Sequence, residues 1–137
     1  MARILIVEDS PAMRTYVRSA LEGTPELGDD LEIIEAASGF DALRLLPRSA
    51  YDLVISDINM PDINGLELIR FVRQTAHLKR IALLIISSQG SERDKARALA
   101  LGADAFLAKP FTPEMLRGAV TRSLTGRSSQ MPDGSNV

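Results

Sequence analysis

The chain has no cysteine and no tryptophan, one histidine, and only 4% aromatic residues among its 137. The missing cysteines remove disulfides, thiolate zinc sites and cysteine nucleophiles together. Their absence suits a reducing compartment without requiring one. A single histidine, His77, leaves no basis for a histidine metal cluster or a histidine relay. Long apolar runs are also missing. The first, Ile4–Val7, is interrupted by Glu8 and Asp9, too soon for a signal peptide. No later run reaches the roughly 18 residues that a membrane span needs, so the reading is of a soluble, cytoplasmic protein with no membrane insertion. Neither sign of charge dominates, with 16 basic and 18 acidic residues and a net charge of −2. That balance gives no electrostatic reason for direct nucleic-acid binding. What remains is an ordinary globular composition, 45% hydrophobic and 25% charged. The length fits one domain of roughly 100–150 residues, large enough to fold without a metal or disulfide staple.

Five short apolar runs recur along the chain: Ile4–Val7, Leu31–Ala36, Leu53–Ile55, Ile81–Ile86 and Ala105–Ala108. They are largely continuous, as strands covered on both faces are. The second is broken by Glu32 and Glu35, as an edge strand is. Helical punctuation lies between them. Ser10-Pro11 and Thr112-Pro113 each place a capping hydroxyl before a proline whose missing N–H is harmless at the first helical position. Ser38-Gly39 and Asn64-Gly65 open the second and third helices, and Gly102 closes Glu92–Leu101. Five β-α units predict an α/β, doubly wound, five-stranded parallel sheet flanked by five helices, with strand order 2-1-3-4-5. The expected boundaries are a domain over residues 1–125 and a disordered tail over 126–137, where Gly, Ser, Gln, Pro, Asp and Asn replace the apolar pattern.

In such sheets the ligand crevice lies at the carboxyl ends of the strands. Glu8 and Asp9 follow the first run, Asp57 the third, Ser87 and Ser88 the fourth, and Lys109-Pro110 the fifth. The second run, at the edge, is followed by no ionisable group. Three carboxylates, a hydroxyl and an ammonium therefore converge. Three acids in one place require a cation, and an oxygen-only set suits Mg²⁺, which keeps waters and a phosphate oxygen. The lysine and the hydroxyl can engage phosphoryl oxygens, leaving one aspartate as nucleophile. Taken singly these residues are ordinary turn, cap and core positions; Phe106 alone is a core residue of the fifth strand. Their joint placement is not ordinary.

At these residues the chain resembles the receiver domain of two-component response regulators, most nearly the single-domain chemotaxis type, CheY-like. The resemblance spans about residues 3–124 and is carried by Ser56-Asp57-Ile58-Asn59-Met60-Pro61-Asp62-Ile63-Asn64-Gly65-Leu66-Glu67-Leu68 together with the other strand ends. It implies that Asp57 accepts a phosphoryl group from a histidine kinase or histidine phosphotransfer protein. It implies Mg²⁺ held by Glu8, Asp9, Asp57 and the backbone carbonyl of Asn59. Ser87 falls on the switch hydroxyl, Phe106 on the switch aromatic, and Lys109 on the family's lysine, with a cis bond to Pro110. The downstream protein target is expected on the face of the fourth helix, fifth strand and fifth helix. The chain is then a signalling phosphoacceptor that catalyses only its own phosphorylation and dephosphorylation. Glu8 stands where many relatives carry aspartate, and Phe106 where tyrosine is common, so no phenol hydroxyl takes part.

Other classes fit less well. A haloacid-dehalogenase-like, Mg²⁺-dependent phosphohydrolase needs a second acid two residues after its nucleophile; here that residue is Asn59. A flavodoxin-like cofactor binder needs a phosphate loop after the first strand, where Glu8 and Asp9 repel phosphate. The receiver portion of a longer regulator remains an alternative form of the same reading.

Overall fold

The computed structural model describes residues 2–88 and 92–129. Five parallel strands, β1 (Arg3–Val7), β2 (Glu32–Ala36), β3 (Leu53–Asp57), β4 (Ala82–Ser87) and β5 (Ala105–Ala108), form one sheet in the order β2-β1-β3-β4-β5. The helices are α1 (Pro11–Glu22), α2 (Gly39–Leu45), α3 (Gly65–Gln74), α4 (Glu92–Leu101) and α5 (Pro113–Ser129). The doubly wound arrangement and strand order expected from the apolar runs are those observed.

Successive strand residues point to opposite faces, and both faces are covered. Ile4, Ile6, Leu53, Ile55, Leu84 and Ile86 meet Val17 and Leu21 of α1 and Leu116 and Val120 of α5. Leu5, Val7, Val54, Leu83 and Ile85 meet Ala42 of α2, Leu68 and Val72 of α3 and Ala98 of α4. This double burial explains the continuous apolar runs, most completely in β4, where all six residues are buried. β2 lies at the edge and alternates less cleanly, with Glu32 and Glu35 outside the core.

The helix starts follow the capping chemistry. The Ser10 hydroxyl accepts the Met13 N–H at 3.2 Å and the Ser38 hydroxyl the Asp41 N–H at 3.1 Å. The Thr112 hydroxyl accepts the Met115 N–H at 3.1 Å. Asn64 and Glu67 close a reciprocal capping box at the start of α3. Gly102 has φ of +118° just past α4, the left-handed position that a side chain resists.

Two boundaries differ from the sequence expectation by more than one residue. β3 continues past Ile55 through Ser56 and Asp57, because both still pair in register with Ile85 and Ile86 of β4. The second is a correction to the tail: α5 runs through Gly126 to Ser129, so a disordered segment does not begin at 126. Helix propagation adds a hydrogen bond for each residue fixed, and α5 is anchored upstream by Leu116, Ala119, Val120 and the buried Ser123. One glycine costs only about 1 kcal/mol against alanine, too little to stop so anchored a helix. Residues 130–137 of the expected tail lie outside the described residues.

Candidate functional site

Strand register builds the site. Val7 pairs with Ser56, Asp57 with Ile86, and Ser87 with Ala108. Glu8, Asp9, Asp57, Asn59, Ser87 and Lys109 therefore each end a strand or lie within two residues beyond its end. Glu8 is fixed there by its own N–H, donated to the Ala36 carbonyl at 3.0 Å. Lys109 is fixed by its N–H, donated to the Ser87 carbonyl at 2.8 Å.

The Glu8, Asp9 and Asp57 carboxylates and the Lys109 ammonium lie together. Carboxylate oxygens of Glu8, Asp9 and Asp57 lie within 4.8 Å of one another. The Lys109 ammonium donates to Glu8 Oε1 at 3.1 Å and lies 3.5 Å from Asp57 Oδ2. Glu8 Oε2 accepts the Ser10 N–H at 3.0 Å, and Asp57 Oδ1 accepts a longer bond of 3.4 Å from the Asn59 N–H. Glu8 is 1% exposed and Asp57 5% exposed, whereas Asp9 and Asn59 stand at the open mouth.

Burial pushes both the Glu8 and Asp57 carboxyls above the usual carboxylate range. The Ser10 N–H and the Lys109 ammonium oppose that rise at Glu8, and Lys109 chiefly opposes it at Asp57. Three carboxylates share one ammonium, so the ionised cluster keeps net negative charge. Its donors are hard oxygens, two buried and one at the solvent edge. That set fits a small divalent cation that retains part of its water shell.

Ser87 is fully buried at the end of β4. Phe106 is half-buried in β5 and packs on the core cluster that faces α3 and α4. The Lys109–Pro110 bond is cis.

Two residues near the site were not singled out in the sequence. Arg14 of α1 donates to the Glu8 carbonyl at 2.6 Å and to Glu35 Oε1 of β2 at 3.0 Å. The available signal was Arg14 and Arg18, one helical turn apart, with acids in the following edge strand, of which Glu35 pairs with both. Asp62 accepts the Gly39 N–H at 3.1 Å and the Phe40 N–H at 2.9 Å, binding the β3–α3 loop to α2. Nothing in its local sequence points to that partner.

Residues 4–121 match the family model described as the response regulator receiver domain. The chain is 34% identical over 116 residues to the chemotaxis protein CheY1 of Helicobacter pylori, covering 84% of this chain and 90% of that one. It is 38% identical over 111 residues to the KDP operon transcriptional regulatory protein KdpE of Escherichia coli, covering 81% of this chain and 46% of that one. Among solved structures, the chemotaxis response regulator CheY4 of Vibrio cholerae superposes with a TM-score of 0.80 at 35% identity, covering 90% of this chain and 99% of that one. Fold, strand-end chemistry and likeness agree: the chain belongs to the receiver domains of two-component response regulators and is CheY-like.

Proposed function

We propose that this receiver domain is a phosphorylation-dependent switch in which Asp57 accepts a phosphoryl group from a histidine kinase or histidine phosphotransfer protein. The observation that carries the reading is the Lys109 ammonium shared between Glu8 and Asp57 inside a cluster of three carboxylates. Transfer forms a bond from an Asp57 carboxylate oxygen to phosphorus and breaks the donor's P–N bond, the electron pair leaving on the imidazole. Glu8, Asp9, Asp57 and the Asn59 carbonyl would hold Mg²⁺, which would supply charge neutralisation for the phosphoryl oxygens. Lys109 is close enough to Asp57 to follow the new group, and Ser87 ends the adjacent strand, where its hydroxyl can donate to it after a loop shift. Phe106 then turns into the space that shift opens, and the α4-β5-α5 face presented to a downstream protein changes. On this reading the domain acts on no other substrate.

The test is intact-mass measurement after treatment with acetyl phosphate and Mg²⁺. The wild type is expected to gain one phosphoryl group and Asp57→Asn none, with an unchanged circular dichroism spectrum. Undiminished labelling of the variant overturns the assignment.

A further inference from the structure

The loop between β3 and α3 carries Asn59, whose carbonyl is one of the proposed cation ligands. Its two ends are fixed by backbone bonds: Ile58 N–H to the Ile86 carbonyl at 2.9 Å, and Gly65 N–H to the Ile58 carbonyl at 2.9 Å. Asn64 is held by its capping box with Glu67. The middle of the loop contains Pro61, which has no N–H to give. There the two oxygens of Asp62 reach across to the first turn of α2, one to Gly39 N–H and one to Phe40 N–H.

These are donors that the helix cannot satisfy internally. The first turn of α2 is thus capped from two sides, by Ser38 on the Asp41 N–H and by Asp62 on the two preceding N–H groups. The approach is close. A Cβ on Gly39 would stand 2.6 Å from the Ile63 carbonyl oxygen and 2.7 Å from its Cβ, so glycine is what lets the loop lie against the helix.

We propose that Asp62 is a positioning residue for the cation site, holding the Asn59 segment of the loop against α2 so that its carbonyl stands where the carboxylates need it. This rests on the Mg²⁺ reading of Glu8, Asp9 and Asp57. It assigns Asp62 no contact with the cation.

The test compares Asp62→Ala, Asp62→Asn and Ser38→Ala by NMR titration with Mg²⁺ alone, and by thermal melting. Ser38→Ala removes a cap from the same helix without touching the loop. Asp62→Ala is expected to weaken Mg²⁺ binding several-fold and to shift the Asn59 and Met60 amides. Ser38→Ala should lower the melting temperature while leaving Mg²⁺ affinity within twofold of wild type. Asp62→Asn keeps one accepting oxygen and should bind Mg²⁺ more tightly than Asp62→Ala. Equal affinity in Asp62→Ala and wild type overturns the proposal, as does an equal loss in Asp62→Ala and Ser38→Ala. Equal losses in Asp62→Asn and Asp62→Ala also overturn it, because they assign the effect to charge. A wild type that binds no Mg²⁺ refutes the cation site itself, a distinct result.

Discussion

At the scale of single residues, the tightest constraints around Asp57 come from what has no room to grow. A Cβ on Gly65 would stand 2.7 Å from the Asp57 carbonyl oxygen and 2.9 Å from the Ile58 Cα. Both neighbours are backbone and cannot swing away as a side chain could. Gly65→Ala is therefore expected to destabilise the domain by about 1–3 kcal/mol, the usual range for overpacking, despite alanine's better helix propensity. Urea unfolding followed by circular dichroism measures this, and a neutral or stabilising result contradicts the contact. The same variant should slow labelling by acetyl phosphate, because the displaced backbone is that of the proposed acceptor. Asp62 makes a different kind of prediction. The Phe40 N–H first, and the Ile63 and Gly39 N–H groups with it, hold its carboxyl at about 2, below the ordinary carboxylate value. A lowered folded-state value means stability that is complete above the unfolded value near 4 and fades as pH falls toward about 2. The melting-temperature advantage of wild type over Asp62→Asn should therefore be constant from pH 7 to about 5 and shrink as the solution is acidified below about 4. A difference that grows on acidification removes the hydrogen bonds from the account.

At the scale of elements, legibility tracked burial. Ile81–Ile86 read as a strand because β4 is enclosed on both faces, and the Ser-Pro, Thr-Pro and Asn-Gly signals read as helix starts because capping is local. Ser56 and Asp57 did not read as strand, since their pairing with β4 is set by register rather than by apolar character. Gly126 read as a break because the ladder of a long docked helix is invisible in a window of polar residues. The site residues were legible as strand-end chemistry, whereas Arg14 and Asp62 were not. Their partners, Glu8 and Glu35 in one case and α2 in the other, are brought near only by the fold. The proposed switch is also an element-scale matter. Ser87 ends β4, Phe106 lies one strand over in β5, and Ser87 pairs with Ala108 in that same strand. Beryllofluoride with Mg²⁺ is expected to shift amides of Ser87, Arg93–Arg97 and Ala105–Phe106. Ser87→Ala should keep the shifts near Asp57 and suppress those near Phe106. Survival of both sets separates the hydroxyl from the aromatic residue.

For the molecule as a whole, a cation that binds only the folded chain raises stability by mass action. Mg²⁺ should raise the wild-type melting temperature relative to EDTA. Asp9→Ala should abolish that rise more completely than Glu8→Ala, since Asp9 stands open to solvent whereas Glu8 already engages Lys109 and Ser10. Identical melting in Mg²⁺ and EDTA refutes the site. No helix among the described residues is long and apolar enough to cross a membrane. The ion pair between Glu8 and Lys109 joins positions 101 residues apart, and contacts of such separation carry a large share of the closure entropy of folding. During synthesis Glu8 and Asp57 leave the ribosome well before Lys109, and until β5 docks on the sheet's far edge those acids have no ammonium between them. A nascent or truncated copy thus has the two acids but no completed pocket. On the proposed function, a chain stopped before β5 should therefore be labelled poorly, its two buried acids lacking the ammonium that the folded domain places between them.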